Sequence, residues 1–113
     1  MTSARRVAEA WAHAMASGDA EAAIRLSSPE IVYTVVHLMR YEGHEGVRDI
    51  VEDYARLSGF VTQSVLASVE QDGVVALQRH EKYTLPDGVI DVPCCAFVEV
   101  ENGRVTRWAD YKN

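Results

Sequence analysis

Residues 74–85 read VVALQRHEKYTL. Taken at period two, Val75, Leu77, Arg79, Glu81, Tyr83 and Leu85 share one face of a strand. Val74, Ala76, Gln78, His80, Lys82 and Thr84 share the other. The first set is core-like except at its middle, where Arg79 and Glu81 point the same way. Charges on an inward face are costly unless paired. The two therefore brace a core or line a polar spot in an apolar pocket. The second set suits a wet face or an interface.

The pattern extends outward from this run. Asp72-Gly73 precedes it, Asp87-Gly88 follows it, and Asn102-Gly103 comes later. Turn dipeptides of this kind between alternating runs predict hairpins. The spacing thus gives strands over 60–70, 74–85, 89–100 and 104–112. Asp110 interrupts the last strand much as Glu81 interrupts the second, with Trp108 on its own face.

The N-terminal half reads differently. Val7, Trp11, Ala14 and Met15 fall on one side of a helix over 3–17. Gly18 follows it, and Asp19 is a good N-cap for a short helix over 20–26. SSPE at 27–30 reads as a break, IVYTVV at 31–36 as a strand, and Gly43 to Gly46 as a second break. Val47, Ile50, Val51, Tyr54 and Leu57 recur at helical spacing, and Ser58-Gly59 ends that helix. Helices followed by a long-stranded meander predict an α+β fold, with a curved, mostly antiparallel sheet wrapped around helices. Such a cone has an interior in which a pocket can form.

Composition narrows the function classes. At 113 residues the chain is one domain, 1–113, and 48% hydrophobic residues suffice for one core. A net charge of −6 with no Lys/Arg stripe argues against nucleic acid. The N-terminus lacks the long apolar run of a secretory signal or membrane span, so a cytoplasmic protein is the expectation. Cys94 and Cys95 are adjacent on a strand and point to opposite faces, which disfavours a disulfide between them. Without nearby ligands they make no zinc site, and they read as packing residues. No Gly-rich phosphate loop or metal cluster is visible, and no cofactor is expected.

At this point the residues resemble a family. The order of elements is similar to the nuclear-transport-factor-2-like fold, shared by limonene-epoxide-hydrolase-like and SnoaL-like polyketide cyclase groups. RHEKYTLPDG is similar to the epoxide hydrolases' Arg-x-Asp strand and Leu-Pro-x-Gly turn. ENGRVTRWADY is similar to their closing Gly-Lys-Ile-x-x-Trp-x-Asp-Tyr strand. The resemblance assigns Arg79 to the family arginine, Glu81 to its first aspartate and Asp110 to its second. Tyr33 matches the tyrosine of a Tyr-x-Asn motif, but Val35 stands where the asparagine should be.

These assignments imply a chemistry. Opening an epoxide with water needs a base for the water proton and an acid for the leaving oxygen. The resemblance implies Asp110 as base, Tyr33 as water-holder and Arg79 as the group orienting both carboxylates. Glu81 would be the acid, kept protonated by desolvation. Val35 removes one water ligand, which weakens hydrolysis and leaves other acid–base reactions open. Trp11, Met15, Val35, Leu77, Tyr83, Val92, Cys94, Ala96 and Trp108 are the expected apolar lining, with His37 near the mouth. Such a lining suits a small lipophilic substrate, a terpenoid or polyketide fragment. His13, His44 and His80 carry no partner pattern.

Two classes of function stay open. One is a cofactor-independent acid–base enzyme, an epoxide hydrolase first and a cyclase or ketosteroid-isomerase-like enzyme second. The other is a non-catalytic small-molecule-binding module, which the missing asparagine favours. The face carrying Val74, Ala76, Gln78 and His80 suits self-association, and a homodimer is expected.

Overall fold

The computed structural model describes residues 3–58 and 61–112. Nine elements follow one another: α1 (Ala4–Ala16), α2 (Ala20–Arg25), β1 (Ser27–Val35), β2 (Met39–Glu42), α3 (Gly43–Ser58), β3 (Val61–Gln71), β4 (Val74–Leu85), β5 (Gly88–Glu101) and β6 (Arg104–Lys112). The strands form one curved sheet in the order β2-β1-β6-β5-β4-β3. Every neighbouring pair is antiparallel except β1 and β6, which run parallel. The expected α+β architecture is therefore the observed one.

Local chemistry sets the elements. Ser3 caps α1 by accepting from the Arg6 amide at 3.2 Å, and Asp19 caps α2 by accepting from Ala22 at 3.0 Å. The hairpin turns at Asp72-Gly73 and Asn102-Gly103 hold both residues at positive φ, as two-residue turns of right-handed twist require. These turns fix the register of β4 on β3 and of β6 on β5, and hence which side chains face inward.

Three boundaries depart from the sequence reading. SSPE is the start of β1 rather than a break. Ser27 is buried there because its hydroxyl accepts from Trp11 Nε1 at 2.9 Å and donates to the Ala23 carbonyl at 2.7 Å. These bonds tie the strand to both N-terminal helices, and a register shift between Ser27 and Val32 absorbs the irregular segment. The strand β2 was not expected, since MRYE carries no β-branched residue. The chain reverses at His37, whose φ is 68°, and Met39–Glu42 pairs back on β1. Finally, α3 begins at Gly43 rather than at Val47. A side chain at Gly46 would meet the Tyr41 backbone at 3.0 Å, so the glycine lets the first turn of α3 lie against β2. The expected strand residue Phe60 and the stop residue Gly59 lie outside the described residues.

The core fills the concave side of the sheet. Trp11 of α1, Tyr33 of β1 and Trp108 of β6 form an aromatic stack, with ring centroids 4.8 to 5.9 Å apart. Val7, Ala8 and Met15 of α1 and Val47, Ile50 and Val51 of α3 close over it. No helix among the described residues is long and apolar enough to cross a membrane.

Candidate active site

Four of the residues singled out from the sequence meet at one place. Register explains why. Glu81 and Arg79 lie on β4, and β5 separates them from Asp110 on β6. Ala96 of β5 pairs with Leu77 on one side and Asp110 on the other, so small residues fill the strand between the charges. Tyr33 comes from β1, which flanks β6 on its far side.

Arg79 Nη1 donates to Asp110 Oδ1 at 2.9 Å, and Nη2 donates to Asp110 Oδ2 at 3.2 Å and to Glu81 Oε2 at 3.1 Å. The guanidinium thus bridges both acids through its two Nη atoms, a fork open to arginine alone. Tyr33 donates its hydroxyl proton to Asp110 Oδ2 at 3.2 Å. Arg79, Glu81 and Asp110 have 0% exposed side-chain surface. Burial works against the Arg79 cation, but the bonds to Asp110 outweigh it and raise its pKa above the ordinary value. Burial, with the Asp110 charge beside it, pushes the Tyr33 phenol well up. The Arg79 guanidinium also lies 5.5 Å from the centroid of the Trp108 ring.

Two further members escaped the sequence reading. Lys112 Nζ lies 2.8 Å from Glu81 Oε1, 3.6 Å from Asp110 Oδ2, and donates to the Tyr54 hydroxyl at 2.6 Å. A signal existed, because Trp108, Asp110 and Lys112 share one face by period two. In the sequence Tyr54 reads only as part of the apolar stripe of α3. With Lys112 included, two carboxylates face two cations.

The bonds around Glu81 differ from those its expected role would need. Arg79, Lys112 and Tyr83 all donate to it, Tyr83 at 2.6 Å to Oε1. In this arrangement Glu81 is an acceptor on both oxygens. The Tyr83 phenol is raised in turn, by burial first and by the Glu81 charge second.

The expected lining residues fall in several places. Trp11, Met15, Leu77 and Trp108 are buried in the core beneath the charges. Val35 is buried beside Asp110. Val92 is half-buried as the β5 partner of Glu81. Cys94 pairs with Arg79 and is buried, its thiol pushed up to about 12 by desolvation, which leaves it unreactive. His37 is exposed at the β1–β2 turn, on a hollow formed by its own hairpin, and stands apart from the buried cluster. The Trp108 indole Nε1 is buried with no hydrogen-bond partner among the described residues. Among the described residues, no group of three or more His, Cys, Asp or Glu is placed to hold a metal ion.

A cavity of about 500 Å³ is lined by Met39, Tyr41, Asp53, Tyr54 and Arg56. Of these, Tyr54 accepts a hydrogen bond from Lys112 of the cluster.

The SnoaL-like domain model matches residues 8–108, nearly the whole chain. The chain belongs to the SnoaL-like domain family. No curated protein matches it in sequence. Among solved structures, an LEH-like epoxide hydrolase of M. tuberculosis superposes with a TM-score of 0.84 at 21% identity, over 97% of this chain and 82% of that one. A putative SnoaL-like polyketide cyclase from Shewanella putrefaciens gives 0.83 at 15% identity, over 99% and 80%. A hypothetical protein with a ketosteroid isomerase-like fold from Catenulispora acidiphila gives 0.86 at 15% identity, over 93% and 83%. At these identities the likeness is one of fold.

Proposed function

We propose that this SnoaL-like protein is a cofactor-independent acid–base enzyme acting on a small lipophilic molecule, and that its reaction is the opening of an epoxide by water. One observation carries this reading: Arg79 binds Glu81 and Asp110 at once, with Tyr33 on the same Asp110 oxygen. A base and an acid held in one cluster can accept and release a proton in the same step without building net charge. Asp110 is the base, and Tyr33 helps to orient the water. The proton for the leaving oxygen comes from the Glu81 end of the site, where Tyr83 and Lys112 converge. Among the described residues the buried indole N–H of Trp108 has no partner, and an orphaned buried donor costs about 1–3 kcal/mol.

A second reading is a non-catalytic binding module of the same fold. The full burial of Arg79, Glu81 and Asp110 favours it, as does Val35 beside the base. A panel of terpene and cyclic epoxides, scored for diol, separates the two. Diol formation by the wild type that Asp110→Asn abolishes supports the enzyme. Tight binding of apolar ligands with no turnover of any epoxide supports the module.

A further inference from the structure

We propose that the cavity of Met39, Tyr41, Asp53, Tyr54 and Arg56 binds a small, uncharged aromatic molecule through one hydroxyl group, which donates to Asp53 and accepts from Arg56. The claim goes beyond the epoxide reading and draws on none of Arg79, Glu81 and Asp110.

Placement comes first. Met39 and Tyr41 stand two apart on β2 and so project to one side. Asp53, Tyr54 and Arg56 come from the C-terminal half of α3, with Asp53 and Arg56 one turn apart. Strand and helix thus enclose about 500 Å³, within the usual range for small-ligand sites. The rings of Tyr41 and Tyr54 and the thioether of Met39 make the apolar part of the wall. Ring on ring and sulfur on ring are both favourable contacts, so this wall suits an aromatic guest.

Hydrogen bonding comes second. An ionised carboxylate has about four acceptor sites. Among the described residues Asp53 fills two: Oδ2 accepts from the Tyr41 hydroxyl at 3.2 Å, and Oδ1 accepts from Arg56 Nη2 at 2.5 Å. The Tyr41 hydroxyl also reaches the Met39 sulfur, at 3.5 Å. Arg56 has five N–H donors, and among the described residues it uses one, on Asp53. Both side chains line the cavity and both are accessible, at 38% and 74% exposure. A ligand hydroxyl can therefore bond to each of them without displacing a bond already made.

Charge comes third. Lys112 Nζ lies 4.8 Å from the Tyr54 ring centroid, so the ring that would attract a cationic guest already carries a cation. Asp53, in the same wall, opposes an anion drawn by Arg56. The pair cancels, and a neutral guest binds without stranding a charge. A hydroxyl both gives and takes a hydrogen bond, as the neighbouring carboxylate and guanidinium require. An ether oxygen can serve Arg56 but not Asp53.

Calorimetric titration of the full chain at pH 7 with 5-indanol, 5-methoxyindane and indane tests the proposal, since the three differ at one substituent. The wild type should prefer 5-indanol to each of the others by about fivefold or more, the worth of one hydrogen bond at a half-exposed site. Asp53→Ala puts a good helix former on α3 and should bind 5-indanol no more tightly than 5-methoxyindane. Its affinity for indane should stay within about twofold of the wild type, because the apolar wall is unchanged. Should Asp53→Ala fail to bind indane, Asp53→Ser is judged by the same criterion. Indane-5-carboxylate, an anion, and 2-aminoindane, an ammonium, should both bind more weakly than 5-indanol. A wild type without the preference, or one that does not bind 5-indanol at millimolar concentration, overturns the proposal. So does an Asp53→Ala variant that keeps the preference, or tighter binding of either charged analogue.

Discussion

Val35 is the direct partner of Asp110 in the parallel ladder between β1 and β6. Both side chains are buried, at 2% and 0% exposure, and both face the concave side. A methyl-bearing surface therefore abuts the proposed base where an amide could hold water. Val35→Asn should raise diol formation several-fold at saturating epoxide. It should also cost about 1–3 kcal/mol of stability, since the amide enters an apolar region with incomplete bonding. Initial rates and urea midpoints measure the two effects. A folded variant with a lower rate would show that water positioning is not what limits this site.

Asp110→Asn keeps the shape of the side chain and removes its basicity. Turnover should fall by about 10²–10⁴ while the far-ultraviolet circular dichroism stays that of the wild type. The Tyr33 hydroxyl can still donate to the amide oxygen, so the ring stack with Trp11 and Trp108 should persist. Undiminished turnover in this variant would remove Asp110 from the mechanism.

Arg79→Met tests the bracing role of the same cluster. Among the described residues it leaves two buried acids with Lys112 as the only cation against them. Breaking a buried ion pair from one side costs about 3–5 kcal/mol. Arg79→Lys should recover part of this, because an ammonium cannot fork across Asp110 and Glu81 together. Urea unfolding of the three proteins gives the ranking. A loss below about 1 kcal/mol for Arg79→Met would mean that the cluster adds nothing to the fold.

Much of this arrangement is legible in the sequence, and what is not has physical causes. The strands β4 to β6 announce themselves by alternation and by turn dipeptides, and these fix register. Once register is fixed, Arg79, Glu81 and Asp110 must share one face. The start of β1 is hidden because tertiary bonds hold it: Ser27 is anchored by Trp11 and Ala23, which no local pattern encodes. The first turn of α3 is hidden because glycine reads as a breaker, whereas here Gly46 makes room for Tyr41. Lys112 escaped because a lysine near a strand end normally lies in solvent. Its burial depends on Tyr54, which arrives from α3 and is 58 residues away in sequence. The aromatic stack explains a different gap. Alternation marks Trp11 and Trp108 as inward but cannot distinguish a filled interior from a lined pocket.

The convex face of the sheet bears on assembly. Val69, Phe97 and Tyr111 are exposed there, with Phe97 and Tyr111 edge to face at 6.0 Å. Near them the His80 ring bonds Asp91 at 2.9 Å, and Arg107 lies 3.9 Å from Glu99. These exposed apolar side chains suit contact with a second copy, and a homodimer is the proposed assembly. Phe97→Lys should yield monomers in light scattering at micromolar concentration and leave the fold unchanged. A wild type that is already monomeric at that concentration would exclude the dimer.

Alkaline pH should unfold this protein through the same cluster. The folded state raises Lys112, because Glu81, Tyr54 and Asp110 favour the ammonium more than burial opposes it. A group raised on folding contributes stability that is complete below its unfolded pKa, about 10.4 for lysine, and lost as pH rises. Tyr33, Tyr54 and Tyr83 are raised as well, each chiefly by burial. In the unfolded chain they ionise near pH 10, while in the folded state they stay neutral. The unfolded state then binds fewer protons than the native one, so the sign is the same for all four groups. Stability should hold level from pH 7 to 8, begin to fall as the unfolded Cys94 thiol ionises near pH 8.5, and fall more steeply above pH 10, at about 1.4 kcal/mol per pH unit for each group released. Urea unfolding between pH 8 and 11 measures the slope. Lys112→Met should flatten it by about one proton, as the phenols continue to titrate. Equal slopes in wild type and variant would mean that Lys112 is no better held in the folded protein than in the open chain.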